Sequence, residues 1–293
     1  MIDFSKLKGK IYFEGKFIKF SKANIHVLNH SLHFSASVFE GIAIYNNKPL
    51  FELDHFKRLN NSAKILRLEF NLSSSEFTKI NKYLIKYNKI KNGYIRPVLY
   101  RSSHSMSPDT SDCKSCLAIA SWSWGKLFNK KAISLEISKW PKLNRKIFPI
   151  EAKSSGSYQS SVIARIDAKK KGYDDCLMLD TNNFVSETTA CNIFWIKKKV
   201  LFTPKTESAL NGITRQAVIQ ISKKLGIKLR IGNYKLKDVL IADLVFLTGT
   251  AAEVQLVSNI KGKKFKLNNY TFNEIKKYYE IIKTKTPSSV KSI

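Results

Sequence analysis

The sequence predicts a two-domain α+β fold with mixed sheets, and three observations lead there. At 293 residues the chain can bury one or two hydrophobic cores. Segments of alternating polarity, which read as strands, are interleaved along its whole length with segments of helical period. A basic, unpatterned stretch from Gly125 to Ala132 separates two such halves. The expected division is a smaller N-terminal α/β domain over 1–125, a linker over 126–132 and a larger C-terminal domain over 133–293.

In the first half, Ile11 to Phe20 alternates and turns at Gly15, as a hairpin does. His33 to Tyr45 is apolar with a glycine at 41. Asn46-Asn47-Lys48-Pro49 then reads as a turn and Leu50 to Leu53 as a strand. A helix is predicted over Leu53 to Leu66, with Phe56, Leu59, Ala63 and Leu66 on one face and Asp54 as its N-cap. Ser73-Ser74-Ser75-Glu76 opens a second helix that runs to about Lys89, and Asn92-Gly93 turns into a strand over Tyr94 to Tyr100. Ser102 to Cys116 is polar and aperiodic, a loop long enough to suggest function. A strand follows over 117–124.

In the second half a strand over Ile133 to Ser138 leads into an irregular run, Trp140 to Ile150. The helix predicted over 157–171 places Val162, Ile163, Ile166 and Ala168 on one face. Strands are expected at 176–180, 184–186, 192–197 and 200–203, a helix at 214–224, a strand at 227–231, a short helix at 236–242 and a strand at 244–247. A last helix covers about 272–284, and Lys285 to Ile293 is expected to fray.

Composition excludes several functions. Hydrophobic residues make up 43% and charged residues 25%, ordinary values for a globular protein. No apolar run approaches the roughly 20 residues that span a bilayer. Met1 to Lys10 interleaves charge with apolar residues and lacks the apolar core of a signal peptide, so a cytoplasmic protein with no membrane partner is expected. The net charge of +29 raises nucleic-acid binding as a rival reading. Only eight of the 51 basic residues are arginine, however, and the 43 lysines are scattered singly or in short runs. That pattern is a compositional bias with no specific nucleic-acid site, since base and phosphate readers lean on arginine's fork of donors. Cys113-Lys114-Ser115-Cys116 is a CxxC, but Cys176 and Cys191 stand fifteen apart and no histidine follows at ligand spacing. Free thiols and no metal are expected, with a reversible disulfide as the alternative.

The chemistry concentrates around Glu151-Ala152-Lys153-Ser154-Ser155-Gly156-Ser157-Tyr158, one lysine among small residues. Thirty-four residues after Lys153 comes Glu187, in Val185-Ser186-Glu187-Thr188-Thr189-Ala190-Cys191-Asn192. Leu210-Asn211-Gly212-Ile213-Thr214-Arg215 and Leu247-Thr248-Gly249-Thr250-Ala251-Ala252-Glu253 each read as a Gly/Thr turn opening a helix. A lysine nucleophile, an acid and two anion-binding turns are the parts a pyridoxal-phosphate site needs. Taken alone, Lys153 is one lysine among 43 and each turn an ordinary helix cap.

The order and spacing of these motifs resemble the fold-type IV pyridoxal-phosphate enzymes, and within them the branched-chain amino-acid aminotransferases. His30-Ser31-Leu32-His33-Phe34-Ser35-Ala36-Ser37-Val38-Phe39-Glu40-Gly41-Ile42, Arg58-Leu59-Asn60-Asn61-Ser62-Ala63-Lys64, Tyr94-Ile95-Arg96-Pro97 and Trp124-Gly125 extend the resemblance from about Ile11 to Val257. It implies a cofactor held in a cleft between the two domains and a homo-oligomer, a dimer or a dimer-based hexamer. It further implies that Lys153 carries pyridoxal 5'-phosphate, Glu187 faces the ring nitrogen and Tyr158 the phenolic oxygen. Leu210 packs on the ring, and Arg58, Gly212, Ile213, Thr214, Gly249 and Thr250 hold the phosphate. Phe34, Phe39, Met106, Trp124, Thr250, Ala251 and Ala252 line the substrate pocket, with Tyr94 and Arg96 near its far end.

The implied reaction is transamination of leucine, isoleucine and valine with 2-oxoglutarate, giving 2-oxo acids and L-glutamate. D-amino-acid aminotransferase, aminodeoxychorismate lyase and R-selective amine transaminase are the alternatives within the fold. The D-amino-acid enzymes carry an arginine in the loop that here reads Ser105-Met106-Ser107-Pro108-Asp109, which has none. Two positions depart from the pattern: Phe34 and Leu127 stand where relatives carry tyrosines whose hydroxyls help hold glutamate's side-chain carboxylate.

Overall fold

A computed structural model gives the structure of residues 3–125 and 127–293. Met1, Ile2 and Lys126 lie outside the described residues, the last being the first position of the expected linker. The chain divides into two compact units. The first comprises the chain through Gly125 together with 152–156 and 286–289; the second comprises 126–151, 157–285 and 290–293. The expected C-terminal domain is therefore not continuous: two short segments from within its range belong to the N-terminal unit.

The N-terminal unit contains strands β1 (Lys10–Phe13), β2 (Lys16–Lys19), β3 (Ser37–Phe39), β4 (Ile42–Tyr45), β5 (Lys48–Pro49), β6 (Gly93–Arg101) and β7 (Ser115–Ser123). Its helices are α1 (His30–Phe34), α2 (Glu52–Ile65) and α3 (Ser74–Tyr87). Six strands run in the order β2-β1-β7-β6-β4-β5, and β3 pairs with β6. Glu14 and Gly15 turn the first hairpin, and Asn46 and Asn47 the β4–β5 hairpin, all four with positive φ. Leu59, Phe77, Leu84, Ile95 and Ile119 are fully buried between the helices and the sheet.

The ends of α2 and α3 are set differently. At α3, the Ser73 hydroxyl accepts from Glu76 N–H and Glu76 accepts from Ser73 N–H, the capping box written in the sequence. At α2 the expected N-cap Asp54 lies inside the first turn. The cap is Phe51, in left-handed conformation with φ 56° and no side-chain bond. Residues 286–289 complete this helix start. Phe51 N–H donates to the Pro287 carbonyl (2.8 Å), Leu53 N–H to the Ser288 carbonyl (2.9 Å), and Ser289 Oγ to Asp54 Oδ1 (3.0 Å). Leu50 to Leu53 is thus no strand, and the tail expected to fray is packed, with Ser289 and Val290 buried. Tertiary contacts satisfy orphan helix donors here that no local residue could.

The C-terminal unit contains β8 (Ala132–Ile137), β9 (Asp175–Leu179), β10 (Val185–Thr188), β11 (Asn192–Lys197), β12 (Val200–Pro204), β13 (Leu229–Gly232), β14 (Leu244–Gly249), β15 (Glu253–Ile260) and β16 (Lys263–Lys264). Its helices are α4 (Gln159–Lys170), α5 (Ile213–Lys224), α6 (Leu236–Leu240) and α7 (Tyr270–Lys285). The strand order is β10-β9-β8-β15-β14-β11-β12-β13, and a further pairing of β10 with β11 closes six of these strands into a ring. That closing pair is Glu187 opposite Asn192. Leu135, Leu177, Ile193, Val245 and Val257 are fully buried in the core of this unit.

Two expectations for this unit are corrected. The turn at Gly249 opens no helix: it joins β14 to β15 as a hairpin with Gly249 opposite Glu253, and β15 is a strand that sequence reasoning misses. Val162, Ile163 and Ile166 are 53%, 44% and 49% exposed, while Ser161, Ala164 and Ala168 form the buried face of α4 against Cys176 and Met178. Small side chains let α4 lie close on the sheet, so size and not hydrophobicity decides which face turns inward.

Candidate active site

In the N-terminal unit, residues 153–155 run beside β3 like an added strand. Lys153 N–H donates to Ser62 Oγ (3.0 Å) on α2, and the Lys153 carbonyl accepts Phe39 N–H (3.1 Å). Ser154 bridges to Val38, and Ser155 Oγ donates to the Ser35 carbonyl (2.7 Å). The small residues of the motif permit this backbone approach. The Lys153 side chain ends 4.7 Å from the centre of the Phe39 ring.

Phe39 links the lysine to three other expected residues. The Arg96 guanidinium lies 4.8 Å from its ring centre and 5.4 Å from that of Tyr94, and Tyr94 meets Trp124 edge-on at 5.0 Å. Gly41 makes room for Tyr94, because a Cβ there would fall 1.7 Å from the tyrosine hydroxyl. Among the described residues Arg96 makes no ion pair, so its charge remains available to a carboxylate. Phe34 and Met106 stand apart from this group. Both are nearly half exposed, and Phe34 stacks on His30 at 4.6 Å.

Arg58 projects from α2 onto Glu40, with Nε 2.6 Å from Oε1 and Nη2 2.9 Å from Oε2. His55 Nδ1 lies 2.7 Å from the same Oε2. Burial opposes the charge of Glu40, but Arg58 and then His55 outweigh it, and the carboxyl is held well below the usual carboxylate range. Burial pushes His55 below the usual histidine range against the pull of Glu40, so the ring is neutral and donates. Sequence reasoning misses Glu40 and His55. The one signal is an acid inside an apolar strand-like run.

In the C-terminal unit Glu187 sits where the strand ring closes. Asn192 Nδ2 donates to its Oε2 (3.0 Å) and to the Leu210 carbonyl (2.8 Å). Lys142, from the irregular run after β8, places Nζ 2.9 Å from Oε1 and lies 5.7 Å from the centre of the Tyr158 ring. Sequence reasoning misses Lys142 too, because nothing but burial distinguishes it from the other lysines.

The Leu210 carbonyl also accepts Gly212 N–H (2.8 Å), so the chain enters α5 in a fixed geometry. Gly212 caps α5 with no side-chain bond, and Ile213, Thr214 and Arg215 are buried. The first N–H groups of a helix have no intrahelical acceptor; here the residues that carry them are buried, and the cap residue supplies no side-chain bond. A Cβ at Gly212 would lie 2.2 Å from Asn192 Oδ1. Arg215 is committed to uncharged acceptors: it donates to Asn211 Oδ1 (2.9 Å) and the Pro204 carbonyl (3.0 Å), and burial pushes it down to about 10 against the pull of the nearby Glu187 charge. At the second turn the Thr248 hydroxyl is buried with no hydrogen-bond partner, and the Ala251 carbonyl accepts Leu127 N–H (2.9 Å). Leu127 therefore belongs to this turn, with its side chain against the core.

The four cysteines are free. Burial pushes the Cys116 thiol up to about 11 and those of Cys176 and Cys191 to about 12, so these three are not thiolates at neutral pH. Among the described residues no group of acids, cysteines and histidines could hold a metal, and no helix is long and apolar enough to cross a membrane.

Residues 37–260 match the model of the family described as amino-transferase class IV. A "Probable branched-chain-amino-acid aminotransferase" of Rickettsia felis is 36% identical over 282 residues, covering 95% of this chain and 97% of its own. The crystal structure of a branched-chain aminotransferase from Thermoproteus uzoniensis with norvaline superposes with a TM-score of 0.91 at 32% identity, over 95% of this chain and 96% of that one. The Escherichia coli branched-chain amino acid aminotransferase gives 0.91 at 32% identity, over 96% of this chain and 97% of that one.

Proposed function

Because the chain belongs to the class IV aminotransferase family, we infer that it exchanges the amino group of branched-chain L-amino acids with 2-oxoglutarate, using pyridoxal 5'-phosphate. The observation that carries this reading is the Lys153 amine beside Phe39, with Tyr94, Trp124 and the unpaired Arg96 continuing the same wall. A pocket that accepts leucine and glutamate in turn must offer both an apolar surface and a charge for a carboxylate.

The residues fit the cofactor. The buried start of α5, with no side-chain cap, and the partnerless Thr248 hydroxyl suit a phosphate group and its surroundings. Ile213, Thr214, Gly249, Thr250 and Arg58 would hold that phosphate. Leu210 would pack on the ring, Tyr158 would meet the phenolic oxygen and Glu187 the ring nitrogen. When bound, pyridoxal phosphate supplies an electron-accepting ring that stabilises negative charge at the substrate α-carbon.

Lys153 has two tasks: it attaches the cofactor, then moves the proton at the substrate α-carbon as acid and base. Glu187 keeps a proton on the ring nitrogen. Phe39, Tyr94, Trp124, Ala251 and Ala252 exclude water around the side chain, with Phe34 and Met106 at the exposed margin. Arg96 meets the distal carboxylate of glutamate.

The chain acts in the cytoplasm as a homo-oligomer, a dimer or a dimer-based hexamer. The exposed apolar side chains of α4 support the assembly. Borohydride reduction of the loaded enzyme and peptide mapping should place the phosphopyridoxyl group on Lys153, and a transamination panel should show leucine, isoleucine and valine as substrates. A label on another lysine, or activity confined to D-amino acids, overturns the reading.

A further inference from the structure

Lys142 is charged, buried and fixed, and no step above uses it. Its side chain is 9% exposed. Its backbone N–H donates to the Leu179 carbonyl (2.8 Å), and its Nζ reaches Ser161 Oγ (3.0 Å) as well as Glu187. Burial works to lower its pKa, but Glu187 outweighs burial and the ammonium titrates above the usual lysine range. Glu187 is thus gripped on both oxygens, by an ammonium on Oε1 and by the Asn192 amide on Oε2.

The other charges nearby are already committed. Asp175 of β9 pairs with Arg165 of α4 (2.9 Å) and accepts the Thr189 hydroxyl. Arg215 of α5 is close enough to feel the charge of Glu187 but donates to Asn211 and Pro204, and the Cys191 thiol is neutral. Lys142 is therefore the cation in direct contact with Glu187, and it also lies beside the Tyr158 ring.

We propose that Lys142 is a positioning residue that compensates the charge of Glu187 and so sets the protonation behaviour of the bound cofactor ring. The proposal rests on the assignment of Glu187 to the ring nitrogen. With Lys142 present, the acid and its partner sum to zero charge, and the ring-nitrogen proton is held by directed hydrogen bonding. Without it, a net negative charge stands beside the ring and favours every protonated form of the conjugated system. An arginine at 142 keeps the charge.

The test is a pH titration of the visible absorption of enzyme loaded with pyridoxal phosphate. Lys142→Met should raise the titration midpoint by about one pH unit and lower kcat more than it changes the KM for leucine, and Lys142→Arg should restore both. A Lys142→Met enzyme that titrates like the wild type overturns the proposal.

Glu187→Gln separates this from the underlying reading. If Glu187→Gln leaves the spectrum untouched, the assignment of Glu187 fails. If it shifts the spectrum while Lys142→Met does not, only the role of Lys142 fails. Should Lys142→Met fail to fold because Glu187 is left unpaired, the double variant Lys142→Met/Glu187→Gln contains no unpaired charge. It should titrate as Glu187→Gln alone, and a further shift would show that Lys142 does not act through Glu187.

Discussion

Arg58 is held by Glu40 along two of its N–H edges, so the guanidinium is preorganised in the apo-protein. Removing one member of a buried pair strands the other, which costs roughly 3–5 kcal/mol. Glu40→Gln should therefore lower the denaturation free energy of the apo-protein by several kcal/mol, and a change below about 1 kcal/mol would place the pair among weak surface bridges. The pH dependence follows. Glu40 and His55 both have folded pKa values below their ordinary values of 4.5 and 6.5. The unfolded chain binds more protons in that range, so their contribution is complete above pH 6.5 and is lost as pH falls. Urea denaturation across pH 3–7 should show that loss, with a shallower slope below pH 4.5 in Glu40→Gln. In the proposed pocket, Phe34 brings no hydroxyl to glutamate's carboxylate. A hydrogen bond to a charged group is worth roughly 1.5–3 kcal/mol, so Phe34→Tyr should lower the KM for 2-oxoglutarate about ten- to a hundredfold while leucine's stays within a few-fold; an unchanged KM would place position 34 away from substrate. Lys153 and Glu187 could be proposed from the sequence because their motifs are local. Glu40, His55 and Lys142 were not, because burial and partners up to forty-five residues away define them.

At the scale of elements, the two Gly/Thr turns read alike in sequence and differ in structure. The first opens α5, where the helix dipole and free donors favour an anion. The second is a hairpin tip and can offer individual hydrogen-bonding groups but no dipole. Their glycines should differ accordingly. Gly212→Ala drives a methyl onto Asn192, whose amide holds both Glu187 and Leu210. Disrupting these buried bonds costs about 1–3 kcal/mol, enough to weaken cofactor binding about tenfold or more. At Gly249 the added Cβ comes no closer than 3.1 Å to the Cys191 sulfur, so Gly249→Ala should be milder. Spectrophotometric titration with pyridoxal phosphate ranks the two, and the reverse order would remove Asn192 from the argument. The α3 capping box and the β1–β2 hairpin were legible because their signals lie within four residues, whereas the β14–β15 hairpin was not. The start of α2 and the inward face of α4 were not, because distant chain and side-chain size determine them.

The whole molecule carries +29, spread over 43 lysines. We expect its binding to DNA or RNA to be weak, indifferent to sequence and lost between low and physiological salt, as counterion release dictates. Sequence-selective binding that persists at about 150 mM salt in a shift assay would contradict this. Much of the order of strands and helices was readable at this scale, β15 excepted, whereas the ring of six strands and the mixed membership of the two units were not. Pairings such as β8 with β15 join segments more than a hundred residues apart, and no local pattern records them.

The contribution of residues 286–289 to α2 has a consequence for the order in which the protein matures on the ribosome. The carbonyls of Pro287 and Ser288 that complete the start of this helix are made more than two hundred residues after the helix itself. Synthesis from Gly125 to Ser289 takes roughly 8–33 s at about 5–20 residues per second. At the start of that interval the nascent N-terminal unit has its sheet residues; it gains the Lys153 segment after about a sixth of the interval and lacks the acceptors for Phe51 and Leu53 until its end. It waits as an incomplete body open to chaperones, and it closes only after the C-terminal unit has been translated.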